Sequence, residues 1–151
     1  MIEGKHPAQK SLIKEELIAH MLCAGILKNE LEGRTGPSMG NESEEENRFL
    51  DTLPFDLTNA QKRSWEQIRN DLTDVKPMRR LLQGDVGSGK TLIAALSALH
   101  AYSNKWQTAL LCPTEILAEQ HFNSFQAWFN ELGLKTELLT GSTKAKDRKL
   151  I

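Results

Sequence analysis

Eight consecutive residues, Gly84-Asp85-Val86-Gly87-Ser88-Gly89-Lys90-Thr91, constrain this 151-residue chain more than any others. They match GxxxxGK[ST], a pattern that works only where a strand delivers the chain to a tight loop and a helix receives it. Each fixed position has a physical reason. Glycines let the backbone turn sharply and approach phosphates with no Cβ in the way. Successive N–H groups then line an anion nest, and the helix that follows adds its positive end. Lys90 carries a cation to the β- and γ-phosphates of a nucleotide, and Thr91 offers a hydroxyl to a phosphate-bound Mg²⁺. At ordinary residue frequencies the match arises by chance about once in 200 such chains, so its flanks decide. The bland alternative, a glycine-rich turn with an exposed lysine, predicts nothing about those flanks.

The flanks fit. Arg80-Leu81-Leu82-Gln83 reads as a short buried strand, and residues 90–102 read as a helix with Ile93, Leu96 and Leu99 on one face. The alternation continues. Residues 107–112 and 135–140 read as strands, and residues 58–72 and 114–132 as helices. The first helix turns Trp65, Ile68 and Leu72 inward; the second carries Leu117, His121, Phe125, Trp128 and Leu132. Strands alternating with helices predict an α/β fold with a parallel sheet. A ligand then belongs beyond the carboxyl end of the 80–83 strand.

Ahead of this lies a different kind of sequence. Ile13, Leu17, His20, Ala24, Leu27 and Leu31 recur at spacings of three and four, which predicts one long helix from Pro7 to Leu31. Pro7 suits a first turn and Gly33 a stop. Residues 33–48 carry almost nothing to bury, and their acidic run Glu42-Ser43-Glu44-Glu45-Glu46 reads as a solvated, flexible connector. The expected organisation is therefore a helix over 1–32, a connector over 33–48 and the α/β part over 49–151. Charge follows the same division: the balance is −4 over residues 1–52 and +3 over 53–151. That is too little to argue nucleic-acid binding from charge alone. Cys23 and Cys112 follow no metal spacing, which removes a disulfide framework and a zinc site as organising principles. No apolar run approaches the ~18 residues of a membrane span, and the polar stretch from Pro7 to Lys14 is no signal peptide. A reducing, cytoplasmic setting fits.

Other residues each admit two readings. Thr58 followed by Gln61 is a capping box at a helix start; functionally, the Gln61 amide offers both a donor and an acceptor to adenine. Pro113-Thr114-Glu115 supplies an N-cap for the last helix, or a hydroxyl and helix end for a nucleic-acid phosphate. Thr140-Gly141-Ser142 is a turn or a second backbone-phosphate contact. Lys144, Lys146, Arg148 and Lys149 read as a solvated basic face. Trp65, Phe125 and Trp128 read as core, and His20 and His121 as core-edge residues.

Several runs together resemble the RecG family of bacterial ATP-dependent DNA helicases. They are residues 81–91 around the phosphate loop, Ala109-Leu-Leu-Cys-Pro-Thr-Glu-Ile-Leu-Ala-Glu-Gln-His121, Leu53-Pro-Phe-Asp-Leu-Thr-Asn-Ala-Gln61, His6-Pro-Ala-Gln-Lys10 and Glu15-Glu-Leu-Ile-Ala-His20. The phosphate loop is also similar to that of the transcription–repair coupling translocase, but the 113–121 run favours RecG. The resemblance implies an incomplete RecA-like motor domain behind a linker helix, with ATP and Mg²⁺ as cofactors. It implies branched DNA as substrate and a monomeric full-length enzyme. It assigns Gln61 to an adenine-recognising motif and Gly84, Asp85, Val86, Gly87, Ser88, Gly89, Lys90 and Thr91 to nucleotide binding, with Lys90 and Thr91 catalytic and Thr91 reaching Mg²⁺. It also assigns Pro113, Thr114, Glu115, Thr140 and Gly141 to DNA.

The family's motor continues with an Asp-Glu box and a second motor domain bearing an arginine finger. The chain is therefore expected to be an internal piece that binds nucleotide weakly and does not unwind DNA alone, because phosphoryl transfer needs the missing groups. The competing expectations are another P-loop enzyme, such as a kinase, and a non-catalytic remnant.

Overall fold

The computed structural model describes residues 7–31, 33–40 and 44–149. His6 and residues 41–43, which include the first residues of the acidic run (Glu42 and Ser43), lie outside the described residues. The chain divides into two compact units, Met1–Gly36 and Pro37–Ile151.

The first unit is the helix α1 (Pro7–Leu31), at the bounds the periodicity predicts. Pro7 opens it, where a missing N–H costs nothing. Gly33, at φ 112°, lies just past its end and takes a left-handed backbone that a side chain would resist. Ile13, Leu17 and Met21 form one exposed row four residues apart, and Ile18, Leu22 and Ile26 form another. The apolar surface is thus wider than the single stripe of the prediction. His20 is exposed too, whereas the side chains of Ala24, Leu27 and Leu31 lie outside the described residues.

The second unit contains α2 (Glu44–Thr52), α3 (Asn59–Thr73), α4 (Lys90–Ser103), α5 (Glu115–Asn130) and a short 3₁₀ turn, Asp147–Lys149. Its centre is α4. Ile93, Leu96 and Leu99 are buried as their spacing predicts, and Leu92, Ala95, His100 and Ala101 are buried as well. A helix apolar on so many sides needs partners around most of its circumference. Helices α3, with Trp65 and Ile68, and α2, with Phe49, pack on it, and Phe125, Phe129 and Leu132 complete the same buried cluster. Phe49 meets Trp128 and Phe129 edge-on, at ring centroids 5.8 and 6.3 Å apart. Each such side chain contributes about 1.5–3 kcal/mol by leaving water. The buried residues of α5 are Phe125 and Phe129, with Trp128 half-buried and Leu132 buried just past the helix end; Leu117, on the apolar row the spacing predicts, is exposed.

The stretch read as a connector is held at several points. Ser38 Oγ donates to Thr73 O (2.6 Å), Met39 N–H to Leu72 O (3.0 Å) and Gly40 N–H to Asn104 Oδ1 (2.6 Å). Glu44, Glu45 and Glu46 form the first turn of α2, where negative charge suits the helix end. The Glu46 carboxylate lies 2.5 Å from His100 Nδ1, and both groups are buried. Ser103 Oγ donates to Glu45 Oε2 (2.7 Å).

The α/β expectation is overturned. Among the described residues there is no strand and no sheet; every regular element is helical. The three runs expected as parallel strands, 80–83, 107–112 and 135–140, exchange no backbone hydrogen bonds with one another. Strands of a parallel sheet are buried on both faces, yet Leu81 is 87% and Leu111 92% exposed. Only 136, 138 and 140 keep an alternating half-buried pattern. An apolar β-prone run specifies local chain direction, but a strand exists only through a neighbour's N–H and C=O groups, and no such neighbour meets these runs.

Candidate functional site

Residues 84–91 form a loop whose shape depends on its glycines. Gly87 and Gly89 take left-handed backbones, at φ 77° and 85°, and Gly89 is the N-cap of α4 with no side chain to fill that role. The N–H groups of Gly87 and Gly89 meet no acceptor among the described residues. A Cβ at Gly87 would meet nothing within 4 Å, so the loop is open on that side. A Cβ at Gly84 would come 2.6 Å from Ser88 Oγ. Val86 is fully exposed at the tip. Lys90 Nζ donates to the carbonyls of Gly84 and Asp85, both at 2.7 Å. Its cation thus lies folded over the loop, tied to it by two neutral acceptors. Thr91 follows in the first turn of α4.

The capping reading of Thr58 and Gln61 holds in full, and Gln61 does more. Thr58 Oγ1 accepts from Gln61 N–H (3.2 Å) while Gln61 Oε1 accepts from Thr58 N–H (2.8 Å). Gln61 Nε2 then donates to Ser88 O (3.0 Å). One side chain therefore closes the start of α3 and ties it to the 84–91 loop. A Cβ at Gly89 would overlap Gln61 Nε2, so that glycine is needed for space as well as for φ. One N–H and one lone pair of the Gln61 amide remain for a ligand.

The second group of predicted residues also comes together. Thr114 caps α5, accepting from Leu117 N–H through its hydroxyl (3.3 Å). Residues 112–115 line one side of an open cavity of about 360 Å³; residues 139–141 and Arg148 line the other. Glu115 Oε1 accepts from Gly141 N–H (2.7 Å) across a sequence gap of 26 residues. Arg148 Nη2 donates to Thr140 O (2.7 Å).

Arg148 is the residue that sequence reasoning passed over. It lies among three lysines of identical compositional meaning, and only its bonds to the 140–143 turn distinguish it. His100 was passed over as well, since its partner Glu46 is 54 residues away. Among the described residues no His, Cys, Asp and Glu group could hold a metal ion, both cysteines are free, and no helix is long and apolar enough to cross a membrane.

The model of the DEAD/DEAH box helicases matches residues 58–151, from the N-cap of α3 onward. The chain belongs to this helicase family. Its relatives share sequence beyond the matched part. The chain is 50% identical over 146 residues to the ATP-dependent DNA helicase RecG of Haemophilus influenzae, covering 97% of this chain and 21% of that protein. It is 46% identical over 145 residues to RecG of Escherichia coli K12, with 96% and 21% covered. It is 52% identical over 104 residues to RecG of Synechocystis, with 69% and 12% covered. The chain thus spans about a fifth of the length of the first two relatives.

Proposed function

We propose that this chain holds the ATP phosphates in an ATP-dependent DNA helicase that remodels branched DNA. The observation that carries the reading is the 84–91 loop. It has two left-handed glycines, free N–H groups at Gly87 and Gly89, and a lysine at the head of α4. Those features fit a polyphosphate, whose oxygens need donors and a cation at close range. In this reading Lys90 supplies charge to the β- and γ-phosphates, and Thr91 gives its hydroxyl to Mg²⁺. Gln61 reads adenine with the donor and acceptor its cap leaves over. ATP supplies the transferable phosphoryl group when bound. The residues of this chain position and neutralise it.

Pro113, Thr114, Glu115, Thr140 and Gly141 belong in the same reading to the DNA-facing surface, where hydroxyls and a helix start meet backbone phosphates. The name RecG supports DNA as the substrate class, and a bacterial enzyme acting on such DNA works in the cytoplasm, here as a monomer.

Thermal unfolding with and without Mg²⁺-ADP tests the nucleotide half. A ligand at 100 times its Kd adds about 2.7 kcal/mol of stability, a rise of several degrees in Tm. Lys90→Ala should keep the ligand-free Tm and lose that rise. An unaltered chain whose cooperative melt does not move with Mg²⁺-ADP overturns the reading.

A further inference from the structure

We propose that Glu115 and Arg148 are positioning residues that clamp the turn at Thr140 and Gly141 against the start of α5, and that neither touches DNA. The proposal rests on the DNA-backbone reading of Thr114 and Thr140 and refines it.

Glu115 is an awkward DNA contact. A carboxylate facing a phosphodiester is repelled by it. Here its Oε1 is already taken by Gly141 N–H at 2.7 Å. Its charge sits in the first turn of α5, where the helix end favours it. The approach is close: a Cβ at Gly141 would come 2.9 Å from that oxygen.

Arg148 holds the opposite side of the same turn. Nη2 donates to Thr140 O (2.7 Å) and lies 3.4 Å from Gly141 O, while Nε donates to Thr143 O (3.1 Å). A planar fork spread over three carbonyls is committed to backbone in a way an ammonium cannot copy. The N–H of Gly141 and the carbonyls of Thr140 and Gly141 are therefore fixed from two sides. The result is a set spacing between Thr114, beside Glu115, and Thr140, across the cavity. The exposed Lys144, Lys146 and Lys149 are left as the cations available to phosphates.

The test uses the whole chain, backbone amide exchange at Gly141 by NMR, and binding of a fluorescent single-stranded oligonucleotide across a salt series. Glu115→Ala should speed Gly141 exchange about tenfold, the loss expected for one charge-assisted hydrogen bond. Glu115→Gln, which keeps an acceptor oxygen, should retain most of the protection. Arg148→Ala should weaken oligonucleotide binding without changing the slope of log K against log[salt]. A direct phosphate contact would instead flatten that slope by about 0.7. Each variant should keep a cooperative melt and its rise with Mg²⁺-ADP, which a merely structural lesion would lose. Where Arg148→Ala does not melt cooperatively, Arg148→Lys decides, with lower affinity at the same slope expected. Unchanged Gly141 exchange in Glu115→Ala, or a flattened slope for either Arg148 variant, overturns the clamp. An unaltered chain that binds no oligonucleotide overturns the DNA reading instead, and Gly141 exchange then still decides whether the clamp exists.

Discussion

The two ends of α4 are built on opposite principles. At its N-terminal end the backbone is cut back to glycine, donors go unpaired, and Lys90 lies exposed over the loop. At its C-terminal end His100 is fully buried against Glu46 and Trp65, and Ser103 and Asn104 reach back to the chain that precedes α3. One end spends hydrogen-bonding capacity on holding the fold. The other leaves backbone donors unpaired, as the proposed nucleotide site requires. The lesson is that substitutions at the C-terminal end should cost stability, and those at the N-terminal end should cost binding unless they touch the backbone itself.

The largest effect is expected where α2 enters the core near the C-terminal end. Phe49 is fully buried and packs edge-on against Trp128 and Phe129. Phe49→Ala should lower unfolding stability by about 3–5 kcal/mol, the cost of an aromatic cavity, measured by urea titration. A loss under 1 kcal/mol would mean that α2 is not part of the folded unit. Next comes Glu46→Ala. It strands His100 Nδ1 in a site where Nε2 already has no partner, so about 1–3 kcal/mol should be lost. A variant as stable as the parent would show that the buried pair contributes nothing to the C-terminal end.

These two residues also show where the sequence was opaque. The glycine-rich loop at 84–91 and the helix it opens were legible because the motif is local: three glycines, a lysine and a threonine within eight positions. Helices α1, α3, α4 and α5 were legible by period, and the first three begin or end within a residue or so of where spacing puts them, whereas α2 begins inside the stretch read as a flexible connector. Glu46 was not. Its neighbours Glu44 and Glu45 make it look solvated, and its partner lies 54 residues further on. The sheet failed for the same kind of reason. Residues 80–83 and 107–112 have the apolar content of strands, but pairing is a relation between distant segments that composition does not carry. On α5 the error was one of facing: Leu117 extends the predicted stripe, yet it lies in the exposed first turn beside Thr114 and away from the aromatic cluster.

Gly89 is where the N-terminal end should break the simple rule. Its φ of 85° is left-handed, and an added Cβ would overlap Gln61 Nε2. Gly89→Ala should therefore cost about 1–2 kcal/mol through chirality alone, more with the overlap, and should also weaken the Mg²⁺-ADP shift. Gln61→Ala in the same chain separates the two causes. It should recover the steric part and leave the backbone part, giving a non-zero coupling in a double-mutant cycle. Strict additivity would show that Gln61 does not crowd Gly89.

The smallest effect returns to the C-terminal end. There Lys105 holds φ 66°, the lone left-handed non-glycine among the described residues. Its N–H donates to Tyr102 O (2.8 Å) and that of Trp106 to Ala101 O (2.9 Å), the paired bonds that end a helix through a left-handed residue, usually glycine. The loop at the other end uses glycine at both of its left-handed positions. Here a lysine bears the strain. Lys105→Gly removes the Cβ penalty but frees the unfolded chain, and the two terms oppose each other. The net should be a gain of about 0.5–1 kcal/mol, seen as a Tm rise with the Mg²⁺-ADP shift unchanged. A drop in Tm would mean that the Lys105 side chain earns its place by contacts that outweigh its backbone. A gain with an altered nucleotide response would mean the two ends of α4 are coupled, and the division drawn between them would fail.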